Sequence, residues 1–456
     1  MTKGRKAGRK KAPKARPVKK SARKEKVHGE AGRYMALGQE LSPNDYVMCV
    51  YKVITDMPLD MAANAIAAEE STGTWTKVVS TDEDIIKRYG ALVTKVEKAK
   101  GVKGGGIITL GYPKEDFNME VGGIPQLLSI VAGNLFGLES LSKIRLEAMT
   151  LPLSMVRSFK GPKFGIDGVR HILDRPKGFP FLGTIVKPKI GLDPKRFANY
   201  VYESGMGGLT NSKDDETLVD QAFCPLEARC VAVAEAIDKV RSETGHKMLH
   251  ALNISTRVDD MVDLGERAQS LGASQLMIDV FTTGFTAVQA VAEAPSIKLP
   301  IHVHRAMHAA ITRDPWHGIS MAVISQIVRL AGGDGLHVGT FGVGKMAGTP
   351  EEERPNAIAL TAPLGDIKPV IPVASGGLYP GLVGELVKRA GADIQIQAGG
   401  GVSGHPDGIR GGARAMVQAA EAAVKGIDAR EYARDHRELR LALEKWGGMD
   451  ERDFSY

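Results

Sequence analysis

Eight times between residues 183 and 401 the chain repeats one pattern: a short apolar run, polar residues at its end, then a segment long enough for a helix. The runs are "GTIVKPK" from 183, "GGLTNSKD" from 207, "HALNIS" from 250, "QLMIDVF" from 275, "PIHVHRA" from 300, "GLHVGT" from 335, "IPVASGG" from 371 and "IQIQAGG" from 394. Intervening stretches such as "EARCVAVAEAIDKVRSETG" supply the crossover that two parallel strands require. Eight consecutive βα units predict a closed parallel (β/α)8 TIM barrel at the C-terminal side of the chain.

Upstream, residues 28–160 mix strand-like runs ("DYVMCVYKVI", "GGGIITLGY") with helical ones ("MAANAIAAEE", "IPQLLSIVAGNLFG"), which predicts a smaller α/β domain of ferredoxin-like type. The glycines of "KGVKGGGIITLG" have no helix after them and predict a hairpin turn rather than a phosphate loop. The Gly- and Pro-rich "SFKGPKFGIDGVRHILDRPKGFPF" is expected to link the two domains, with the barrel over 161–430 and a helical tail over 431–456.

The net charge of +7 misleads, because residues 1–27 hold thirteen Lys or Arg against one Glu, which leaves −5 for the rest. That segment is expected to be a disordered basic tail. It lacks an aromatic residue on which a base could stack, so it predicts at most nonspecific contact with polyanions and not sequence-specific nucleic-acid binding. No apolar run spans a membrane, and the three cysteines are an odd, sparse set, so a cytoplasmic, reducing location is expected.

Barrel enzymes carry their chemistry at the C-terminal ends of the strands. Those ends hold Lys187 and Lys189; Lys213, Asp215 and Glu216; His304, Arg305 and His308; and His337. The seventh and eighth strands run into Ser375, Gly376 and Gly377 and into Gly399 and Gly400, where bare backbone N–H groups suit a phosphate. Asp215 and Glu216 are hard oxygen donors suited to Mg2+. Lys213 beside them is out of place as an ammonium, but a neutral lysine can react with CO2 to give a carbamate, a third anionic donor. The cations and the two glycine turns suit a sugar carrying a phosphate at each end.

Taken together, "GTIVKPKIGL", "SKDDE", "HVHRAMH", "HVGTFGVGKMAG", "PVASGG" and "QAGGG", with "STGTWT" and "AGNLFG" upstream, resemble the large subunit of ribulose-1,5-bisphosphate carboxylase/oxygenase, closest to the archaeal form III or II/III type. The resemblance implies that Lys213 is carbamylated by an activating CO2. With Asp215 and Glu216 it would then bind Mg2+, and the carbamate would take the C3 proton of ribulose 1,5-bisphosphate before CO2, or O2, adds. It further implies that Lys187 protonates the final carbanion with Lys189 tuning it, and that Lys345 meets the incoming carboxylate from a flexible loop. His304 and His308 are implied in proton transfer and positioning. Arg305, His337 and Ser375 match one phosphate site; Thr74, Trp75, Gly377, Gly399 and Gly400 match the other. Glu69 and Asn134 match groups lent by a neighbouring subunit, so the resemblance implies a homodimer or an assembly of dimers, and no small subunit.

Some features depart from the family. The thirty residues from Lys345 to Ser375 are a short stretch, position 185 is Ile where plant enzymes have Thr, and the basic tail is not general. Three rival readings remain: a related enolase or isomerase of a phosphorylated ketose, a hydrolase holding a metal through His302 and His304, and a nucleic-acid-binding protein driven by the tail.

Overall fold

The computed structural model describes residues 32–454 apart from Trp75, Lys77 and Ala347. The basic tail expected over 1–27 therefore lies outside the described residues, as does Trp75.

Strands β1 (Tyr46–Ile54), β2 (Leu92–Lys98), β3 (Gly105–Pro113) and β4 (Lys143–Thr150) alternate with helices Leu59–Glu69 and Gly123–Val131. They form one sheet in the order β4-β1-β3-β2, all pairs antiparallel, which is ferredoxin-like. Along β1 every second residue is buried, so one face meets the helices. The turn between β2 and β3 is a hairpin, with Gly101 and Gly104 at positive φ.

Strands β5 (Phe181–Ile185), β6 (Asn211–Lys213), β7 (Leu249–Asn253), β8 (Gln275–Asp279) and β9 (Ile301–His304) then follow, with a helix after each. After a two-residue strand β10 (Gly318–Ile319) come β11 (Gly335–His337), β12 (Ile371–Ser375) and β13 (Gln395–Gln397). Excepting β10, these close into an eight-stranded barrel in which all neighbours are parallel. β5, β7 and β8 are buried at every residue, because their side chains meet either the barrel interior or the helix ring.

Two details differ from the sequence expectation. The supposed linker contains a helix, Gly165–Leu173, whose Ile166, Val169 and Leu173 pack on Phe181, Leu249, Ile371 and Val373 and so close the bottom of the barrel. Its Gly and Pro residues flank that plug rather than separate two bodies. Asp334, at the start of β11, bolts it down by accepting the backbone N–H groups of Phe164 (2.9 Å), Gly165 (2.7 Å) and Ile301 (2.8 Å). In addition, β10 leaves the barrel and pairs in parallel with β4, making the N-terminal sheet five-stranded. Arg145 of β4 secures this excursion by donating to the carbonyls of Thr312 (3.0 Å) and Asp314 (2.7 Å).

Among the described residues no helix is long and apolar enough to cross a membrane, and the three cysteines are buried and unpaired.

Replacing Asp334 with Ala strands three buried N–H groups. Denaturant unfolding of this variant is expected to show a loss of about 3 kcal/mol or more; a loss under about 1 kcal/mol would mean that the plug is not fastened there.

Candidate active site

In the "KDDE" run, the backbone alternation of β6 sends consecutive side chains to opposite sides. Asp214 turns away from the barrel mouth into a dry polar pocket. One of its oxygens meets Arg229 (3.0 Å) and the backbone N–H of Asn253 (2.8 Å), the other meets His250 (3.0 Å), and Ser212 bonds the far nitrogen of that imidazole at 2.8 Å. Burial alone would raise the Asp214 carboxyl, but Arg229 and His250 outweigh it and hold it below the usual carboxylate range. This aspartate is an anchor.

Lys213 and Asp215 face the mouth. The Lys213 side chain is 1% exposed; its Nζ donates to the Asp214 carbonyl at 2.7 Å and lies 3.8 Å from a Glu216 oxygen. Burial pushes this amine below the ordinary lysine range, against the pull of Glu216, Asp215 and Asp214. Asp215 binds Lys187 at 2.9 Å and accepts the Thr217 hydroxyl at 3.0 Å, and these contacts overcome burial to keep its carboxyl low. Glu216 lies 4.0 Å from Lys189 and 3.7 Å from His304. Asn253 pins the turn by donating to the carbonyls of Glu216 (3.3 Å) and Leu218 (3.0 Å).

These groups line one cleft of about 630 Å3 at the C-terminal ends of the strands. Its walls bring together fifteen expected residues: Lys187, Lys189, Lys213, Asp215, Glu216, His304, Arg305, His308, His337, Lys345, Ser375, Gly376, Gly377, Gly399 and Gly400. Burial lowers Arg305 to about 10 and His308 to about 3, the second with help from the Arg305 charge. The glycines after β12 are required by close approach: Gly376 and Gly377 have φ of 121° and 73°, and a Cβ on Gly377 would stand 2.9 Å from the Lys345 backbone nitrogen.

Glu69, Thr74 and Asn134 are not among the residues lining this cleft. Glu69 and Asn134 line a separate depression on the N-terminal domain together with Glu70, whose carboxyl burial pushes up to about 7. His302 of the "HVH" run also lies outside the cleft lining, its ring turned to His337 rather than exposed beside His304.

Several neighbours had no sequence signal. The loop bearing Lys345 is gripped at its base by charged groups, two of them distant in sequence. Glu353 accepts the Phe341 N–H, Arg389 donates to the Phe341 carbonyl (2.9 Å), and Arg452 donates to the carbonyls of Gly342 (2.9 Å) and Val343 (3.0 Å). Phe341 itself is buried at φ 53°, a conformation that a side chain resists. From the C-terminal tail, Trp446, Asp453 and Phe454 line the cleft, the two rings packing beside Tyr379.

Among the described residues no three His, Cys, Asp or Glu side chains form a metal-binding group. The mouth instead offers two carboxylates and a buried lysine. That set fits a divalent cation if Lys213 is turned into an anion.

Comparison with known proteins agrees with this architecture. The family "Ribulose bisphosphate carboxylase large chain, catalytic domain" matches residues 165–446, and its N-terminal domain family matches 35–155. The chain is 41% identical to the ribulose bisphosphate carboxylase of Methanocaldococcus jannaschii over 430 residues, 91% of this chain and 99% of that protein. It is 39% identical to that of Thermococcus kodakarensis, covering 91% of this chain and 96% of that protein. Among solved structures, the sulfate complex of octameric ribulose-1,5-bisphosphate carboxylase/oxygenase from Pyrococcus horikoshii OT3 superposes with TM-score 0.84 at 39% identity, covering 90% and 96% of the two chains. The dimeric archaeal Rubisco from Hyperthermus butylicus gives 0.83 at 38%, covering 91% and 99%.

The two adjacent aspartates separate in a mutational test. Asp214→Asn leaves Arg229 buried without its counter-charge and is expected to cost about 3–5 kcal/mol in denaturant unfolding. Asp215→Asn, a buried carboxylate whose partner Lys187 reaches solvent, keeps an acceptor for Thr217 and is expected to cost clearly less, about 1–2 kcal/mol. Equal costs would contradict the assignment of one to the frame and the other to the mouth.

Proposed function

Because the chain belongs to the ribulose bisphosphate carboxylase large-chain family, we propose that it carboxylates ribulose 1,5-bisphosphate to give two molecules of 3-phosphoglycerate, with O2 as a competing co-substrate. The observation that carries this reading is Lys213: an amine 1% exposed, set against two carboxylates, in a cleft edged by cations and glycine turns.

Activation begins on this amine. The neutral nitrogen attacks CO2 and loses a proton, and the anionic carbamate joins Asp215 and Glu216 as a third oxygen donor. These three residues would hold Mg2+, whose chemistry when bound is Lewis-acid polarisation of the substrate oxygens. Lys187 and Lys189, which now neutralise Asp215 and Glu216, are then free to turn to substrate.

The chain's own groups account for the remaining work. The carbamate of Lys213 takes the C3 proton, giving an enediolate to which CO2 adds. Lys345, on the loop over Gly376 and Gly377, meets the new carboxylate. After hydration and cleavage, Lys187 returns a proton to the product carbanion. Arg305, His337 and Ser375 bind one phosphate; Gly377, Gly399 and Gly400 bind the other with Thr74 and Trp75. His304 and His308 position the sugar between them and relay protons.

Glu69 and Asn134 are lent by the N-terminal domain of a neighbouring copy. The absence of these two from the cleft lining supports this, as do the relatives described as dimeric and octameric.

Lys213→Ala is expected to abolish turnover and its dependence on preincubation with bicarbonate and Mg2+; a fully active variant would refute the role of this lysine. Lys345→Ala should lose carboxylation while retaining exchange of the C3 proton with solvent, since proton abstraction does not use the loop. Equal loss of both would deny that division of labour. Because only the neutral amine reacts, the activation rate at fixed dissolved CO2 should climb with pH, by roughly tenfold per unit below the pKa of Lys213. A flat profile would contradict it.

A further inference from the structure

His302 takes no part in the chemistry above, yet it sits directly beneath it. On β9 its side chain is wholly buried, and its Nε2 lies 2.8 Å from the Nε2 of His337 on β11, with the rings edge to face at 4.9 Å between centroids. His304 closes the other side of His337 at 4.7 Å. Two ring nitrogens that close share one proton, so one ring donates and the other accepts.

The direction follows from what surrounds His302. Among the described residues its Nδ1 is buried without a hydrogen-bond partner. A bare lone pair is tolerated in such a place more readily than a bare N–H. The His302 proton therefore sits on Nε2 and is donated to His337, which leaves the proton of His337 on Nδ1. Burial, with the Lys213 charge and the neighbouring imidazoles, holds both rings well below the usual histidine range, which favours the neutral pair. Among the described residues, Nε2 is the ring atom of His337 with a hydrogen-bond partner, and the same ring lines the cleft with Arg305 and Ser375.

We propose that His302 is a positioning residue that fixes His337 as an Nδ1–H donor toward an anionic phosphate oxygen of the ligand, sparing the site a second protonated group. This deepens the functional reading above and rests on it for the identity of the ligand. With His302 absent, the ring of His337 is free to place its proton on Nε2 and face the phosphate with a lone pair, which repels it.

The direct test is the tautomer. In long-range proton–nitrogen NMR spectra of the full-length protein labelled with 15N-histidine, His337 is expected to show the Nδ1–H pattern and His302 the Nε2–H pattern. The reverse assignment, or a protonated pair, would overturn the proposal. Function gives a second readout. His302→Leu is expected to weaken inhibition by inorganic phosphate and raise KM for ribulose 1,5-bisphosphate, each about tenfold, with a much smaller change in kcat. His302→Gln, which restores an N–H donor at the same reach, should recover phosphate affinity to within about twofold. Equal weakening in both variants, or unchanged phosphate affinity in His302→Leu, would reduce His302 to packing. Should the Leu variant not fold, the spectra of the parent protein still decide. Lack of turnover by the parent protein would refute the carboxylase reading, while the tautomer and phosphate affinity would still report on His302.

Discussion

Water is wholly excluded from the ion pair between Asp214 and Arg229, and the turn that presents Lys213, Asp215 and Glu216 to the barrel mouth is built around it. Such a pair repays its desolvation only with further hydrogen bonds, and here His250 and the Asn253 N–H supply them. A hydrophobic pair of similar volume would stabilise the fold as well or better. What the ions add is direction: one carboxylate ties β6, β7 and the helix Leu226–Thr244 at a single point. Lys213 and Asp215, on either side of the tied residue, are thereby forced into the cleft.

The mouth then has an electrostatic logic of its own. A buried lysine is destabilised as a cation, while the neighbouring carboxylates of Glu216 and Asp215 pull it back toward the charged form. Without substrate each partly satisfies the other, helped by Lys187 and Lys189. The proposed exchange of the amine for an anion, with entry of a divalent cation, would release the two lysines from these carboxylates toward the substrate. The same burial that lowers Lys213 keeps the imidazoles of His302 and His337 neutral, so hydrogen-bond direction matters more there than charge.

Much of this was legible in the sequence because it is periodic or local. The eight strands of the barrel follow from repeated apolar runs, and fourteen of the fifteen expected cleft residues follow from their place at strand ends, Lys345 being implied by the family resemblance alone. The helix Gly165–Leu173 was hidden because glycine and proline flank it, although Ile166, Val169 and Leu173 have helical spacing. β10 was invisible because two residues carry no period, and its partner β4 lies far away in sequence. The grip of Arg389 and Arg452 on the Lys345 loop is likewise non-local, made of side chain to backbone bonds between distant segments. Nor does sequence pattern show that Asp214 anchors the frame; that needs Arg229 and His250 in place.

The central claim is that Lys213 becomes the carbamate on which carboxylation depends. The most direct measurement is incorporation of labelled CO2 into 3-phosphoglycerate under anaerobic conditions, with protein preincubated with bicarbonate and Mg2+ and then given ribulose 1,5-bisphosphate. Labelled product that requires all three additions is the expected result. No product from a folded assembly that still exchanges the C3 proton would contradict it, and would mark the chain as an enolase of the same fold.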